Sequence, residues 1–321
     1  MKVKQPNFFV VGAPKSGTTS LDHYLGQHPD VFMPSRKDLP FFGSDLQLRF
    51  TYEYGRARET TEQYLSFFDN AGSVRRIGET AVWYLFSESA AQEIYSFAPD
   101  ALIIVMLRNP VDMMYALHSQ FLSNLNEDID DFEAALAAET DRRDGRRIPL
   151  RAHFPRGLLY RDVARYAEQL ERYFNIFGRD HVHVIYYDDF RDNTNGEVYK
   201  TFQFLGLDPG APVSLEIINR NKVVRHRGLH ALAMLPPTRL ESLYHALTPH
   251  RFHGRVAALA RRLSLEYEPR PPLDTTVRER LEQEMTPEIL RIGRLLDHNM
   301  SSWLMQGAPE FISPERATTY L

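Results

Sequence analysis

The chain has 321 residues, of which 43% are hydrophobic and 12% aromatic, enough to bury a core in one large α/β domain or two small ones. Its 38 basic and 42 acidic residues leave a net charge of −4, which argues against a general nucleic-acid binder. It has no cysteine, so disulfides, thiolate catalysis and Cys-based zinc sites are excluded.

With no cysteine, a cytosolic setting is the simplest expectation; Met1–Pro6 shows no signal-peptide core and runs straight into a strand at Phe8–Val11. A helix over about 18–27 follows, then a short strand at Val31–Met33 and a loop dense in charge and aromatics from Ser35 to Gly43. Residues 59–68 and 87–97 read as helical. Ala101–Leu107 is a continuous apolar run, too short to span a bilayer and suited to a central parallel strand. Arg108-Asn109-Pro110 stops it, and a helix from Val111 to about Leu122 follows. Glu127–Leu150 is polar, with Asp141–Arg147 expected as an exposed loop. Arg161–Phe177 reads as one amphipathic helix, with Val163, Tyr166, Leu170 and Phe174 at helical spacing. His181–Tyr187 is the next strand, and Asn195–Leu205 a helix closed by Gly206. Beyond Pro209, Asn219–Arg227 is basic and 229–265 reads as interrupted helix. Pro269–Pro272 is a stiff connector, and Thr275–Leu296 is helical with a break expected near Pro287. Strands alternating with helices predict an α/β fold: a P-loop-like central parallel sheet with helices on both faces, and a mostly helical C-terminal region. No linker forces a boundary, so 1–321 is expected to be a single domain, with its core at about 7–210 and a helical part at about 211–321.

The loop after the first strand carries the chemistry. Gly12 and Gly17 keep the spacing of a Walker A loop, but Thr18-Thr19 stand where a nucleoside triphosphatase needs Lys-Ser/Thr. The lysine lies inside the loop, at Lys15. With Ser16, Thr18, Thr19 and Ser20 as hydroxyl donors and Gly17 for close backbone approach, the loop suits a phosphate or sulfate at a helix N-terminus. A triphosphatase would also place a Mg²⁺-binding acid at the end of an apolar strand, and here that end is Arg108. An arginine suits a second anion. A nucleotide with a 5′-phosphosulfate and a 3′-phosphate has this charge distribution, whereas a P-loop kinase or NTPase, or a non-catalytic nucleotide-binding protein, are the rival readings.

Several segments resemble the sulfotransferases that use 3′-phosphoadenosine 5′-phosphosulfate (PAPS), above all the heparan-type branch and its bacterial relatives. These are GAPKSGTTSL at 12–21, HPDVFMPSRKD at 28–38, GETAVWYL at 78–85, LRNPVDMMYAL at 107–117, YAEQLERYF at 166–174, FLGLD at 204–208 and LLDHNMSSW at 295–303. The resemblance implies that Lys15 and the backbone of 16–20 hold the 5′-phosphosulfate, and that Lys15 stabilises charge on the bridging oxygen as the sulfuryl group leaves. It implies Arg108 as the 3′-phosphate ligand, with PAP as product. The family usually has a serine eight residues after this arginine; here Ala116 stands there, and Ser119 is the candidate replacement. The general base would be Asp38, one methylene shorter than the family's glutamate, with Glu79 and His118 in reserve. Arg225 and Arg227, in the basic stretch, are expected to fold over the 3′-phosphate. His250–Arg262 reads as an exposed amphipathic helix in preference to a membrane-surface contact. Trp83, Tyr84 and Trp303 read as core or wall residues. His181 and His183 lack a third ligand, so no metal is expected. The implied acceptor is a hydroxyl on a glycan, glycolipid or small metabolite.

Overall fold

A computed structural model describes residues 4–39, 41–46, 60–215, 223–224, 265–266 and 270–304. Five parallel strands form one sheet: β1 (Phe8–Gly12), β2 (Val31–Phe32), β3 (Arg76–Thr80), β4 (Leu102–Leu107) and β5 (Val182–Tyr186), in the order β2-β3-β1-β4-β5. β1 is central, pairing Phe9 with Glu79 of β3 and with Ile103 of β4.

Side-chain alternation on the central strands sorts the helices onto two faces. Phe8, Val10, Ile104 and Met106 point to one face, where they meet α1 (Thr18–Leu25), α9 (Tyr187–Asp192) and α10 (Thr194–Phe204) through Leu21, Phe190 and Phe202. Phe9, Val11, Ile103 and Val105 point to the other. That face is covered by α2 (Thr61–Ser66), α3 (Ala90–Phe97), α4 (Pro110–Ser123), α5 (Phe132–Ala137), α7 (Tyr160–Val163), α8 (Tyr166–Phe177) and α11 (Thr275–Leu296). The expected two-sided parallel sheet is therefore present.

Several local expectations change. β3 interrupts its apolar character with Gly78, Glu79 and Thr80, so no apolar run marks it. The polar stretch 127–150 holds α5 and α6 (Glu139–Arg143). Arg142 is buried, not part of an exposed loop, because its Nη2 pairs with buried Glu127 at 2.7 Å. The single helix expected over 161–177 divides into α7 and α8 at Arg165. Pro287 does not break α11; its apolar stripe of Leu281, Met285, Ile289 and Ile292 is buried, and the helix packs on α8 and α4. Leu265, at the end of the helical stretch expected over 229–265, lies in β7 (Leu265–Glu266), antiparallel to β6 (Val223–Val224). The remainder of 229–264 lies outside the described residues. Among the described residues, no helix is long and apolar enough to cross a membrane.

Gly78 of β3 sits beneath the Phe8 ring, and a Cβ there would lie 2.1 Å from Phe8 Cζ and 2.5 Å from Met33 Sδ. Gly78→Ala is expected to cost ~1–3 kcal/mol by overpacking. Urea unfolding should show a lower midpoint with an unchanged slope, and an unchanged midpoint would mean that the ring has room to move.

Candidate active site

The loop between β1 and α1 sits at the C-terminal end of the central strand, where ligands bind in open parallel sheets. Both sides of the strand end are stitched down. Ala81 N–H donates to Val10 O at 3.0 Å and Leu85 N–H to Val11 O at 2.7 Å, while Ala13 N–H donates to Met106 O at 2.6 Å. Gly17 is the N-cap of α1, left-handed at φ 93°, and no side chain caps the helix. Ser20 N–H and Leu21 N–H already donate to Gly17 O, at 3.0 and 3.2 Å, so it is the N–H groups of Thr18 and Thr19 that present donors and partial positive charge to an anion. Lys15 is also left-handed, at φ 60°. That region is sparsely populated for residues with a Cβ and is found preferentially at functional sites. Ser16 and Thr18 are buried, and Ser20 lies half-buried in the first turn of α1.

On the β4 side, Arg108 follows the strand directly. Its Nη1 donates to Lys15 O at 3.2 Å and its guanidinium lies 4.6 Å from the centroid of the Tyr187 ring. Its Nε is buried without a hydrogen-bond partner, as is the hydroxyl of Tyr166, which lies close enough to feel the Arg108 charge. A second guanidinium arrives from the far end of the chain. Arg270 lies 5.3 Å from the centroid of the Tyr115 ring, and Tyr115 Oη donates to Pro271 O at 3.2 Å, fastening the connector to α4. Burial, and next the charge of Arg108, hold Arg270 below its usual pKa. Two guanidiniums near enough for the charge of one to act on the other, with buried donors beside them, form a cationic cluster whose chemistry suits a multiply charged anion. The sequence expectation passed over Arg270; its flanking prolines marked only a rigid segment.

On the β3 side lies Asp38. Its N–H donates to Thr80 O at 2.9 Å and its Oδ1 accepts from Val82 N–H at 3.0 Å. Val82 O is in turn within 2.9 Å of where a Cβ on Gly12 would sit, so the exposed Asp38 stands beside the loop. Asp38 also has a left-handed backbone, at φ 53°. The neighbouring Lys37 Nζ donates to Thr19 Oγ1 at 3.0 Å, tying this segment to α1. Asp22 of α1 is raised above its usual pKa by burial, against the opposing charge of Lys37.

Glu79 is wholly buried on β3. Its Oε2 contacts the Tyr64 hydroxyl and its Oε1 lies 2.7 Å from the Tyr84 hydroxyl. Burial pushes its carboxyl up to about 8. Tyr84 is thus core, and Trp83 packs on Phe121 and Phe154. His118 is 2% exposed, its Nε2 2.9 Å from Ile129 O and its ring against Phe132 and Tyr160; burial lowers its pKa. Ser119 Oγ donates to Tyr115 O at 3.0 Å within α4, and Ala116 is fully buried. Arg225 and Arg227 lie outside the described residues, as does His250–Arg262. The structure therefore gathers the loop, Arg108 and Asp38 around the end of β1, and places Glu79 and His118 in the core.

A sequence profile of the Sulfotransferase family matches residues 6–210. Human (Homo sapiens) carbohydrate sulfotransferase 15 is 28% identical over 255 residues, covering 64% of this chain and 44% of the human protein. The mouse (Mus musculus) bifunctional heparan sulfate N-deacetylase/N-sulfotransferase 4 is 31% identical over 118 residues, 35% of this chain and 12% of that protein. The chain spans less than half the length of these curated relatives. The crystal structure of a sulfotransferase from Alicyclobacillus acidocaldarius superposes with a TM-score of 0.70 at 28% identity, covering 94% of this chain and 99% of that one. All five strands of the parallel sheet and the loop between β1 and α1 fall within the matched span, and this chain belongs to the sulfotransferase family.

Proposed function

We propose that the chain transfers a sulfuryl group from PAPS to an acceptor hydroxyl by in-line displacement without a metal, releasing PAP. One observation carries this reading: an uncapped helix N-terminus lies between two close guanidiniums on one side and an exposed carboxylate on the other. The loop backbone at 16–20 and Lys15 hold the 5′-phosphosulfate. Arg108 and Arg270 hold the 3′-phosphate, filling the role left open by Ala116. Asp38 takes the proton of the acceptor hydroxyl as its oxygen bonds to sulfur. The bond from sulfur to the bridging oxygen breaks, and Lys15 offsets the charge that develops there. The names of the relatives, a carbohydrate sulfotransferase and a heparan sulfate N-sulfotransferase, favour a glycan-type acceptor. The kinase reading is not favoured, since Arg108 occupies the strand end where a Mg²⁺-binding acid belongs.

The acceptor is found by incubating candidate glycans, lipids and metabolites with PAPS and scoring the gain of one sulfo group by mass spectrometry. On that acceptor, Lys15→Ala is expected to lower kcat by ~10²–10³ with an unchanged melting curve. Full activity in this variant removes Lys15 from the transfer. Asp38→Asn should lower kcat by ~10²–10⁴ while PAP affinity, measured by calorimetry, stays the same. Retained kcat would move the base elsewhere. Arg270→Ala should weaken PAP binding by about 10–100-fold, the loss of a charge-assisted contact, and wild type should prefer PAP to ATP with Mg²⁺. Equal PAP affinity in wild type and variant would remove Arg270 from the site, and tighter binding of ATP with Mg²⁺ would restore the kinase reading.

A further inference from the structure

The segment that bears Asp38 continues through Leu39, Phe41 and Phe42, and all three are held from beneath by one buried network. Tyr84 Oη lies 2.7 Å from Leu39 O and 2.7 Å from Glu79 Oε1, and it accepts from Phe42 N–H at 3.3 Å. Tyr64, whose hydroxyl contacts Glu79 Oε2, stacks on Phe41 with centroids 3.9 Å apart and planes 6° apart. Tyr84 and Tyr64 are 2% and 0% exposed, and Glu79 is 0% exposed, so bulk solvent does not reach these contacts.

Counting protons settles their direction. A phenol has one proton to give and two lone pairs. Leu39 O cannot donate, so the Tyr84 proton goes to it. Phe42 N–H occupies one lone pair of Tyr84 Oη, and Phe41 N–H, which also approaches this oxygen, is committed to Leu39 O at 2.9 Å. The remaining contact, to Glu79 Oε1, must then be a donation from Glu79 into the second lone pair, which requires a proton on the carboxyl group. The opposite assignment leaves Leu39 O facing a lone pair at 2.7 Å with no proton between them, both groups being buried.

We infer that Glu79 is a neutral carboxylic acid that positions the Asp38 segment, through a one-way donor chain from Tyr64 to Glu79 to Tyr84 to Leu39. Its use in catalysis rests on Asp38 being the base; the chain itself does not. Glu79 is therefore a positioning residue, acting through Tyr84. The titratable groups that face it are Tyr64 from α2, Tyr84 from the segment after β3, and Asp38 from the segment after β2. The charge of Asp38 favours the neutral form, as burial does, and the carboxyl group's position near 8 agrees with the proton count. Ionisation of Glu79 would take the donor from Tyr84, free the phenol proton to turn toward the carboxylate, and release Leu39 O.

Glu79→Gln tests this directly, because an amide donates from nitrogen and accepts at oxygen as a neutral acid does. In wild type at pH 7 the infrared spectrum should contain a buried carboxylic-acid carbonyl band that Glu79→Gln lacks and that disappears as the pH rises through about 8. A folded-state pKa above the unfolded value means that the native state holds the extra proton between about 4.5 and 8, so wild-type stability falls across that window as pH rises. The melting temperature of wild type minus that of Glu79→Gln should accordingly decrease from pH 5 to pH 8 and then level off. Amide exchange at Phe42, referenced to Glu79→Gln at each pH, should speed up about tenfold in wild type above pH 8. The absence of the band at pH 7, or a melting difference that is flat or rises with pH, overturns the neutral acid. A titrating band with no change in exchange at Phe42 overturns the positioning role. None of these measurements needs a sulfuryl donor or acceptor, so a protein that passes them and sulfates nothing counts against the proposed function alone.

Discussion

The end of β1 is where two other strands' loops converge on a single backbone. From one side, the segment after β3 lays its N–H groups on Val10 O and Val11 O; from the other, the end of β4 receives the N–H of Ala13. Such an approach leaves no room for a side chain at Gly12, where a Cβ would fall 2.7 Å from Leu85 Cβ. Gly12 also adopts φ 156°, which residues with a Cβ seldom reach. Everything the site needs is delivered by this close approach. The loop takes its direction from β1, Asp38 is placed by Thr80 and Val82, and Arg108 leaves β4 opposite Lys15 O.

The sheet order then divides the charge. Because β3 and β4 flank β1 on opposite sides, the acidic groups of Asp38 and Asp22 lie toward one edge of the loop, and the guanidiniums of Arg108 and Arg270 toward the other. Lys37 bridges from the acidic edge to Thr19. Under the proposed reading, this arrangement sets the anionic donor and the acceptor hydroxyl on separate walls of one cleft. Reaction then crosses from one wall to the other, past the loop that carries Lys15 at the end of the central strand.

What was legible in the sequence was local. The strand Phe8–Val11, the loop from Gly12 to Ser20, and Arg108 at the end of an apolar run are all short-range patterns, and each occupies the expected place. β3 escaped because a strand of Arg, Ile, Gly, Glu and Thr has no apolar run, and its burial depends on Phe8 filling the space over Gly78 and on tyrosines meeting Glu79. Arg142 looked solvent-exposed because its partner Glu127 lies 15 residues away. Arg270 is a tertiary event, carried to Arg108 by a hydrogen bond between Tyr115 and Pro271 across 156 residues. Single-sequence patterns encode periodicity and turns; they do not encode which buried charge finds which partner.

The pairing of Arg108 with Arg270 also bears on what happens after transfer. Under the proposed reading, both guanidiniums grip the 3′-phosphate, a group that is unchanged by the reaction and stays on the nucleotide. The helix terminus keeps a 5′-phosphate in place of a phosphosulfate. Most of the site's attraction is therefore spent on parts shared by donor and product, and only Lys15 meets the atoms that differ. A site built this way holds its spent nucleotide nearly as firmly as its fresh one, so product departure becomes a natural bottleneck and accumulated PAP a built-in inhibitor.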